Sequence, residues 1–305
     1  AASQAIDPVF LQTPQYRSEG LSRLIGAAVL CKLESANPIG CFKGRGADWW
    51  MQSSTPGRRV VCASAGNFGQ ALAYAARRLE REVTVFAACS ANPAKLEAMR
   101  NLGADVRTYG EDFDEAKDEA ARYAAAQGAL YVEDGREDEI AEGAGSIAVE
   151  ILAGEAVDAI YVPVGNGALA NGVGSWGRQH SPQTRVVGVC AEGAPSMERS
   201  WRSGEAVATD AVSTIADGVA TREPIAEALA HFAEVVDDVV LVSDGEIVAA
   251  MRALFEHERL VTEPAGAVSL AGLLNNCESE SGRLVATLVT GSNIDPRRRN
   301  EWLGA

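Results

Sequence analysis

The chain has 305 residues, which suits one large α/β domain or two lobes and excludes a peptide or a disulfide-stabilised miniprotein. Hydrophobic residues make up 47% of the chain and charged residues 23%, a balance typical of a folded globular protein and not of a disordered one. The formal net charge of −15 disfavours binding to nucleic acid and to anionic membranes, so a small molecule is the expected partner.

The cysteines and histidines show no spacing typical of a metal site or a disulfide framework. The six cysteines form no C-x-x-C pair, and the three histidines lie far from one another in the sequence. The first residues, AASQAIDPVFLQTPQ, lack the pattern of a secretion signal, and no apolar run approaches the roughly 20 residues that span a bilayer. We therefore expect a reduced, cytoplasmic protein with no membrane partner.

Short β-branched runs alternate with alanine-rich helical segments along the chain. One series comprises RRVVCAS, EVTVFAA, ADVRTYG and ALYVED, and a second comprises AIYVPVG, TRVVGVCAE, VVLVSD and LVATLVTGS. Such alternation predicts an α/β fold with parallel strands and crossover helices. The acidic stretch EDGREDEIAEG, around residues 133 to 143, is the predicted crossing between the two series because it is polar and lacks hydrophobic periodicity.

Three glycine-rich turns follow strand-like runs: SAGNFG from Ser64, GNGALANG from Gly165 and TGSN from Thr290. Each turn would lie at the carboxyl end of a strand, where open α/β sheets bind ligands. GNGALANG also opens a predicted helix, so its backbone amides would face an anion such as phosphate. Its G-x-G-x-x-A pattern, with Glu192 at the end of the next strand, equally matches a dinucleotide site, which keeps a nicotinamide enzyme as an alternative.

Lys43 lies in NPIGCFKGRGA, next to Phe42 and among small or turn-forming residues. This setting indicates an embedded lysine and not one on a charged helix face. Because desolvation penalises an ammonium group, such a lysine is a candidate Schiff-base nucleophile or proton shuttle. A surface lysine beside Arg45 is the alternative that this residue alone leaves open.

Six motifs follow one another over nearly the whole chain: ESANPIGCFKGRGA, SAGNFGQALAYAARRL, VPVGNGALANG, TIADGVATREP, TEPAGAVSLAGLL and VTGSNID. Together they resemble the serine/threonine dehydratase (ammonia-lyase) family of fold-type II pyridoxal-phosphate-dependent enzymes. The resemblance implies a two-lobed α/β fold like that of tryptophan synthase β, with parallel sheets flanked by helices and pyridoxal 5′-phosphate in the interlobe cleft. Residues 1–50 and 141–305 would form the large cofactor-binding lobe, and residues 51–140 the small lobe inserted in it. A nicotinamide enzyme would leave the lysine motif and SAGN without a role.

The resemblance also implies which residues bind the cofactor. Lys43 would hold it as a Schiff base and act as the catalytic base, and Phe42 would pack on its ring. Asn67 would hydrogen-bond the ring hydroxyl, and Thr290 would face the pyridine nitrogen. The phosphate would be bound by backbone amides of the glycine-rich loop: Gly165, Asn166, Gly167, Ala168 and Leu169.

The substrate carboxylate would be bound by the SAGN loop: Ser64, Ala65, Gly66 and Asn67. Gly218 in the ADG motif and Glu263 in EPAGA match motifs near the pocket. Ala65 stands where racemases of this family carry a second serine, so we expect a poor racemase. Cys190 stands where cation-binding relatives often carry a glutamate, so no metal is expected. The chain ends soon after TGSNID, so we expect no appended regulatory domain, and we expect a homodimer.

The implied reaction is β-elimination of ammonia from a hydroxyamino acid such as L-threonine or L-serine, which yields a 2-keto acid. A threonine hydroxyl cannot hold the pyridine nitrogen protonated as a carboxylate does, so the ring is a weaker electron sink and elimination is favoured over transamination. A β-replacement or threonine synthase-like enzyme is one alternative, and the ADG and EPAGA motifs favour the dehydratase over it. A degenerate cofactor-binding protein without turnover is another, against which intact Lys43 and Asn67 argue.

Overall fold

The computed structural model describes residues 1–304, and in it the chain divides into two units. The first unit contains Ala1–Asp7 and Lys43–Gly143, and the second contains Pro8–Phe42 with the chain from Ala144 onward. The predicted small lobe, residues 51–140, falls within the first unit, which also includes residues 1–7 and 43–50. Within the described part of the chain, no helix has both the length and the apolar character needed to cross a membrane.

The elements alternate along the chain as an α/β protein requires. The strands are β1 (Gln15–Ser18), β2 (Ala28–Leu33), β3 (Val60–Ala63), β4 (Val83–Ala87), β5 (Asp105–Thr108), β6 (Leu130–Tyr131), β7 (Ala159–Pro163), β8 (Arg185–Ala191), β9 (Asp238–Val242) and β10 (Leu284–Val289). The helices are α1 (Ala2–Ala5), α2 (Glu19–Ile25), α3 (Lys43–Ser53), α4 (Asn67–Arg78), α5 (Pro93–Asn101), α6 (Phe113–Gln127), α7 (Asp138–Leu152), α8 (Ala168–His180), α9 (Ser196–Ser203), α10 (Ala226–Val235), α11 (Asp244–Glu258), α12 (Pro264–Asn275), α13 (Cys277–Glu280) and α14 (Pro296–Leu303). Two short 3₁₀ segments cover Pro8–Phe10 and Asp217–Val219.

The first unit contains a parallel four-stranded sheet in the order β5-β4-β3-β6. The strand order reverses between β3 and β6, because the chain goes from β3 to β4 and β5 on one side and then returns to place β6 on the other. Ligands of open α/β sheets bind outside the carboxyl ends of the strands at such a switch point. In this unit the turn after β3 and the residues after β6 occupy that position.

The second unit contains a six-stranded sheet in the order β1-β2-β10-β7-β8-β9, with β1 antiparallel at the edge and the other strands parallel. Every residue of β7 is buried, as expected for a parallel strand covered on both faces. Helix α12 is buried from Pro264 to Leu273, so it lies in the core of this unit. The strand order reverses between β7 and β10, which places the turns after these two strands at a second switch point.

The structure confirms the α/β fold and the predicted strands β3 to β10. It differs from the prediction in two places. Strands β1 and β2 were not predicted, although β2 pairs with both β1 and β10. Residues 138–143, predicted to be part of an irregular crossing, form the first turns of α7. Their only large apolar residue, Ile140, is buried on the same helix face as Ala144, Ile147 and Ile151, so the periodicity is visible only when the following residues are included.

Candidate functional site

Lys43 is the first residue of α3, and its side chain is only 15% exposed. Its Nζ forms an ion pair with Oδ2 of Asp134, whose side chain is 20% exposed. The residues that follow Lys43 in the helix, Gly44 to Asp48, are buried, so the start of the helix is anchored in the first unit. The lysine is therefore held in place by a carboxylate and is not on a solvated face.

The SAGN loop connects β3 to the start of α4. Oγ of Ser64 accepts the N–H groups of Gly66, at 3.2 Å, and of Gly69, at 3.0 Å, so this side chain shapes the turn. A Cβ added to Gly66 would have no atom within 4 Å, which shows open space in front of the loop. An anionic group fits this position because the first N–H groups of a helix lack partners within the helix.

Asp134 lies at the same edge of the sheet as the SAGN loop. Val61 of β3 is paired with Tyr131 of β6, and the N–H of Val132 donates to the carbonyl oxygen of Val61. Asp134 follows the carboxyl end of β6 by three residues, just as Ser64 follows directly after β3, so both lie past the carboxyl ends of paired strands. Asp134 was not predicted as a site residue. The sequence feature that could have indicated it is a carboxylate at the end of a predicted strand, the position at which the three glycine-rich turns also lie.

The glycine-rich loop of the second unit follows β7 and ends at Gly167, which has φ +93° and precedes the first residue of α8. An L side chain rarely adopts this φ, so glycine is required here. Ala168 and Leu169 are the first two residues of α8, and their amides are among the donors without an acceptor inside the helix. The positive end of the helix dipole adds to an anion-binding position at the carboxyl end of β7.

Residues 217–221 pack directly against this loop. A Cβ added to Gly165 would lie 3.1 Å from the carbonyl oxygen of Gly218. Oγ1 of Thr221 donates a hydrogen bond of 3.0 Å to Oδ1 of Asn166. The ADG motif thus lies beside the glycine-rich loop, and Thr221 is a contact residue that the sequence did not identify.

Thr290 follows β10 directly and is 4% exposed. Its Oγ1 donates to the carbonyl oxygen of Ala265 at 3.3 Å, and its own carbonyl oxygen accepts the N–H of Phe42 at 3.0 Å. The buried Glu263 is close by, since a Cβ on Gly291 would be 1.9 Å from its Oε1. The second unit therefore places a neutral hydroxyl at the carboxyl end of β10, adjacent in the sheet to β7 and its loop.

Two residues bear on the alternative dinucleotide and metal sites: Glu192 and Cys190. Glu192, the acid that a dinucleotide site would use, is exposed. Burial raises the pKa of the Cys190 thiol to about 12, with the nearby Glu198 carboxylate adding to the effect. Over residues 1–304, no three His, Cys, Asp or Glu side chains are grouped so that they could hold a metal ion.

A sequence profile described as "Pyridoxal-phosphate dependent enzyme" matches residues 6–291. L-threonine ammonia-lyase of Geobacter sulfurreducens is 37% identical over 289 residues, which cover 93% of this chain and 72% of the relative. This chain spans only 56% of the biosynthetic L-threonine dehydratase IlvA of Escherichia coli, to which it is 34% identical. The structure of threonine deaminase isoform 2 from Solanum lycopersicum superposes with a TM-score of 0.92 at 31% identity, covering 99% of this chain and 87% of that one.

Proposed function

The chain belongs to the family of pyridoxal-phosphate dependent enzymes, and we propose that it eliminates ammonia from a hydroxyamino acid such as L-threonine or L-serine. The observation that carries this proposal is the position of Lys43, whose amine is held by Asp134 in the unit that also carries the SAGN loop. The activity named for the relatives agrees with this arrangement. A cytoplasmic location and a homodimer remain predictions from the sequence.

Within each unit, individual residues suit groups that pyridoxal 5′-phosphate carries. An amine at Lys43 suits an aldehyde, and the donors at the start of α8, behind the left-handed Gly167, suit a phosphate. The hydroxyl of Thr290 suits a ring nitrogen, and we propose that Phe42 and Asn67 contact the ring. When bound, the cofactor supplies an electron sink for the electrons of the substrate Cα–H bond.

The residues of the first unit account for binding and proton transfer. The substrate carboxylate binds at the SAGN loop, residues 64–67, at the start of α4, and this orients the substrate Cα–H bond. Nζ of Lys43 then takes the α-proton as the general base. The ammonium group so formed donates to the carboxylate of Asp134, which already pairs with Nζ in this structure. The proton that Nζ of Lys43 took from Cα leaves with the β-hydroxyl as water. Hydrolysis then consumes one water, so the net products are a 2-keto acid and ammonia.

Thr290 favours elimination over competing reactions. A neutral hydroxyl beside a pyridine nitrogen does not stabilise its protonated form as a carboxylate would. The electron pair of the broken Cα–H bond is therefore stabilised less by the ring, which favours its use in breaking the bond to the β-hydroxyl. The side chain that directly follows β10 is this threonine, whereas the buried carboxylate of Glu263 lies against the next residue, Gly291.

The proposal is tested by supplying the cofactor-loaded chain with a panel of hydroxyamino acids and measuring 2-keto acid and ammonia together. We expect equal amounts of both from at least one of L-serine and L-threonine. Lys43→Ala should release neither, whereas Lys95→Ala, a matched change on α5 of the same unit, should leave the rates unchanged. A chain that binds the cofactor and releases no ammonia from any member of the panel would overturn the proposed activity. When sulfide is added to the same panel, products that retain the amino group and carry sulfur in place of the β-hydroxyl would instead indicate β-replacement.

A further inference from the structure

The glycine-rich loop contains one side chain that could restrain it, that of Asn166. This residue lies between Gly165 and Gly167, and its Oδ1 accepts a 3.0 Å hydrogen bond from Oγ1 of Thr221. Thr221 is 8% exposed, so the donor of this bond is buried, whereas Asn166 is partly exposed. The loop is therefore joined through this side-chain hydrogen bond to a segment that follows it by more than fifty residues.

Thr221 is itself held in place from the opposite direction. Its carbonyl oxygen accepts a 2.7 Å hydrogen bond from Oγ of Ser196, a fully buried residue at the start of α9. Its N–H donates to the carbonyl oxygen of Val219 within the tight turn that contains Gly218. Gly218 also packs closely on α12, since a Cβ there would be 2.8 Å from Cβ of Ala265. Thr221 thus belongs to a rigid support, whereas Asn166 belongs to a loop with a glycine on each side.

We propose that Thr221 is a positioning residue for the cofactor phosphate, acting through Asn166. The inference rests on the proposed function, because it assumes that the loop binds that phosphate. Glycine residues lose more conformational freedom on ordering than any other residue, so a free loop of this composition would be costly to order when a ligand binds. The hydrogen bond from Thr221 orders the loop beforehand, and this pre-organisation raises the affinity for the phosphate.

The test uses the cofactor-free chain and measures the dissociation constants of pyridoxal 5′-phosphate and of pyridoxal, which lacks the phosphate. Thr221→Val removes the hydroxyl and keeps the branched shape. We expect it to weaken binding of the phosphorylated cofactor about 3- to 10-fold, the size of one net hydrogen bond, and to leave pyridoxal binding unchanged. Thr221→Ser keeps the hydroxyl and should bind like the parent.

Two further variants separate positioning from general damage. Thr184→Val removes another buried hydroxyl, which donates to the carbonyl oxygen of Val157 beyond the other end of α8, and should not change either dissociation constant. Asn166→Ala should weaken binding of the phosphorylated cofactor as Thr221→Val does. In the double variant, Thr221→Val should add no further loss of phosphate binding, because the proposed effect of Thr221 runs through its hydrogen bond to Asn166.

The outcomes distinguish the inference from the proposed function. A parent chain that does not bind pyridoxal 5′-phosphate would overturn the proposed function itself. If the parent binds it, the inference is refuted by parent-like affinity in Thr221→Val, by equal losses for the two ligands, or by losses that add in the double variant. Equilibrium unfolding of each cofactor-free variant shows that it is folded. Should Thr221→Val fail to fold, parent-like affinity in Asn166→Ala would refute the inference equally.

Discussion

Replacing Gly167 by alanine should weaken cofactor binding, and the structure allows the size of the effect to be worked out. Gly167 has φ +93°, and an L residue in the left-handed region costs roughly 1–2 kcal/mol. The added Cβ would also lie 3.3 Å from Cε of Met197, a flexible side chain that can move away. Backbone strain is therefore the main effect.

The strain affects cofactor binding because the cofactor-free loop of the alanine variant can relieve it by rotating residue 167 to a negative φ. That rotation redirects the amides at the start of α8, and binding of the phosphate must then restore the strained conformation. A cost of about 1–2 kcal/mol corresponds to a dissociation constant about 5- to 30-fold higher. Gly204→Ala is the matched control, since Gly204 has φ +75° at the end of α9 and open space around its Cβ position.

The assay is a titration of the cofactor-free chain with pyridoxal 5′-phosphate, followed by its visible absorbance, together with denaturant unfolding of the same variants. Gly204→Ala should lose stability, as its strain requires, and should bind the cofactor like the parent. Gly167→Ala should show the weaker binding. Parent-like affinity in a folded Gly167→Ala chain would refute the assignment of this loop to the phosphate.

Three further substitutions test individual side chains of the site. Thr290→Asp should slow ammonia release more than it weakens cofactor binding, and a long-wavelength absorbance band should build up with substrate. The reason is that a carboxylate raises the pKa of the adjacent pyridine nitrogen, and the protonated ring then stabilises the carbanion too well. Ala65→Ser should raise the rate at which serine is racemised relative to its deamination, since it supplies a hydroxyl that can donate a proton from the face opposite Lys43. Asp134→Asn should lower kcat about 3- to 10-fold with little change in KM, because Nζ of Lys43 loses its charged partner after it has taken the proton.

For each of these three substitutions, a control variant and one outcome that would contradict the prediction can be specified. Thr290→Ser keeps the hydroxyl and should retain ammonia release; unchanged turnover in a fully loaded Thr290→Asp chain would show that this residue does not face the ring nitrogen. Ala65→Val adds bulk without a hydroxyl and should not racemise serine; a parent chain that racemises serine as fast as it deaminates it would show that racemisation does not need a hydroxyl at position 65. Glu133→Gln changes the neighbouring carboxylate, which pairs with Lys117, and an equal effect there would show that Asp134 has no specific role.

Much of the fold is readable in the sequence because parallel strands are buried on both faces. The runs AIYVP and LVATLV are continuous and apolar, and both are strands in the structure. The glycine-rich turn after β7 can also be predicted from the sequence, because Gly167 has a positive φ that other residues avoid and the position therefore requires glycine.

Strand β2 was not predicted, and it carries a lysine within an otherwise apolar run. Lys32 is almost completely buried in this strand, where its Nζ pairs with Glu150 of α7 and donates to the carbonyl oxygen of Thr13. A lysine in an apolar run indicates an exposed segment unless its partners are known. Those partners are distant in sequence, so only the folded chain reveals them.

The same reason explains the site residues that the sequence missed. Asp134 becomes part of the site through the register of β3 and β6 and through its ion pair with Lys43. Thr221 becomes part of it through a hydrogen bond to Asn166. Motifs indicate residues whose type is itself required, such as a lysine or a glycine. They do not indicate a residue whose importance comes from its neighbour in space.

The central claim, that Lys43 carries the cofactor, is tested most directly by locating the attachment point. The cofactor-loaded chain is reduced with borohydride, digested, and its peptides are analysed by mass spectrometry. We predict one modified peptide, with the pyridoxyl group on Lys43. Modification of Lys32, Lys95 or Lys117 instead, or a loaded chain in which no lysine is modified, would contradict the assignment of Lys43.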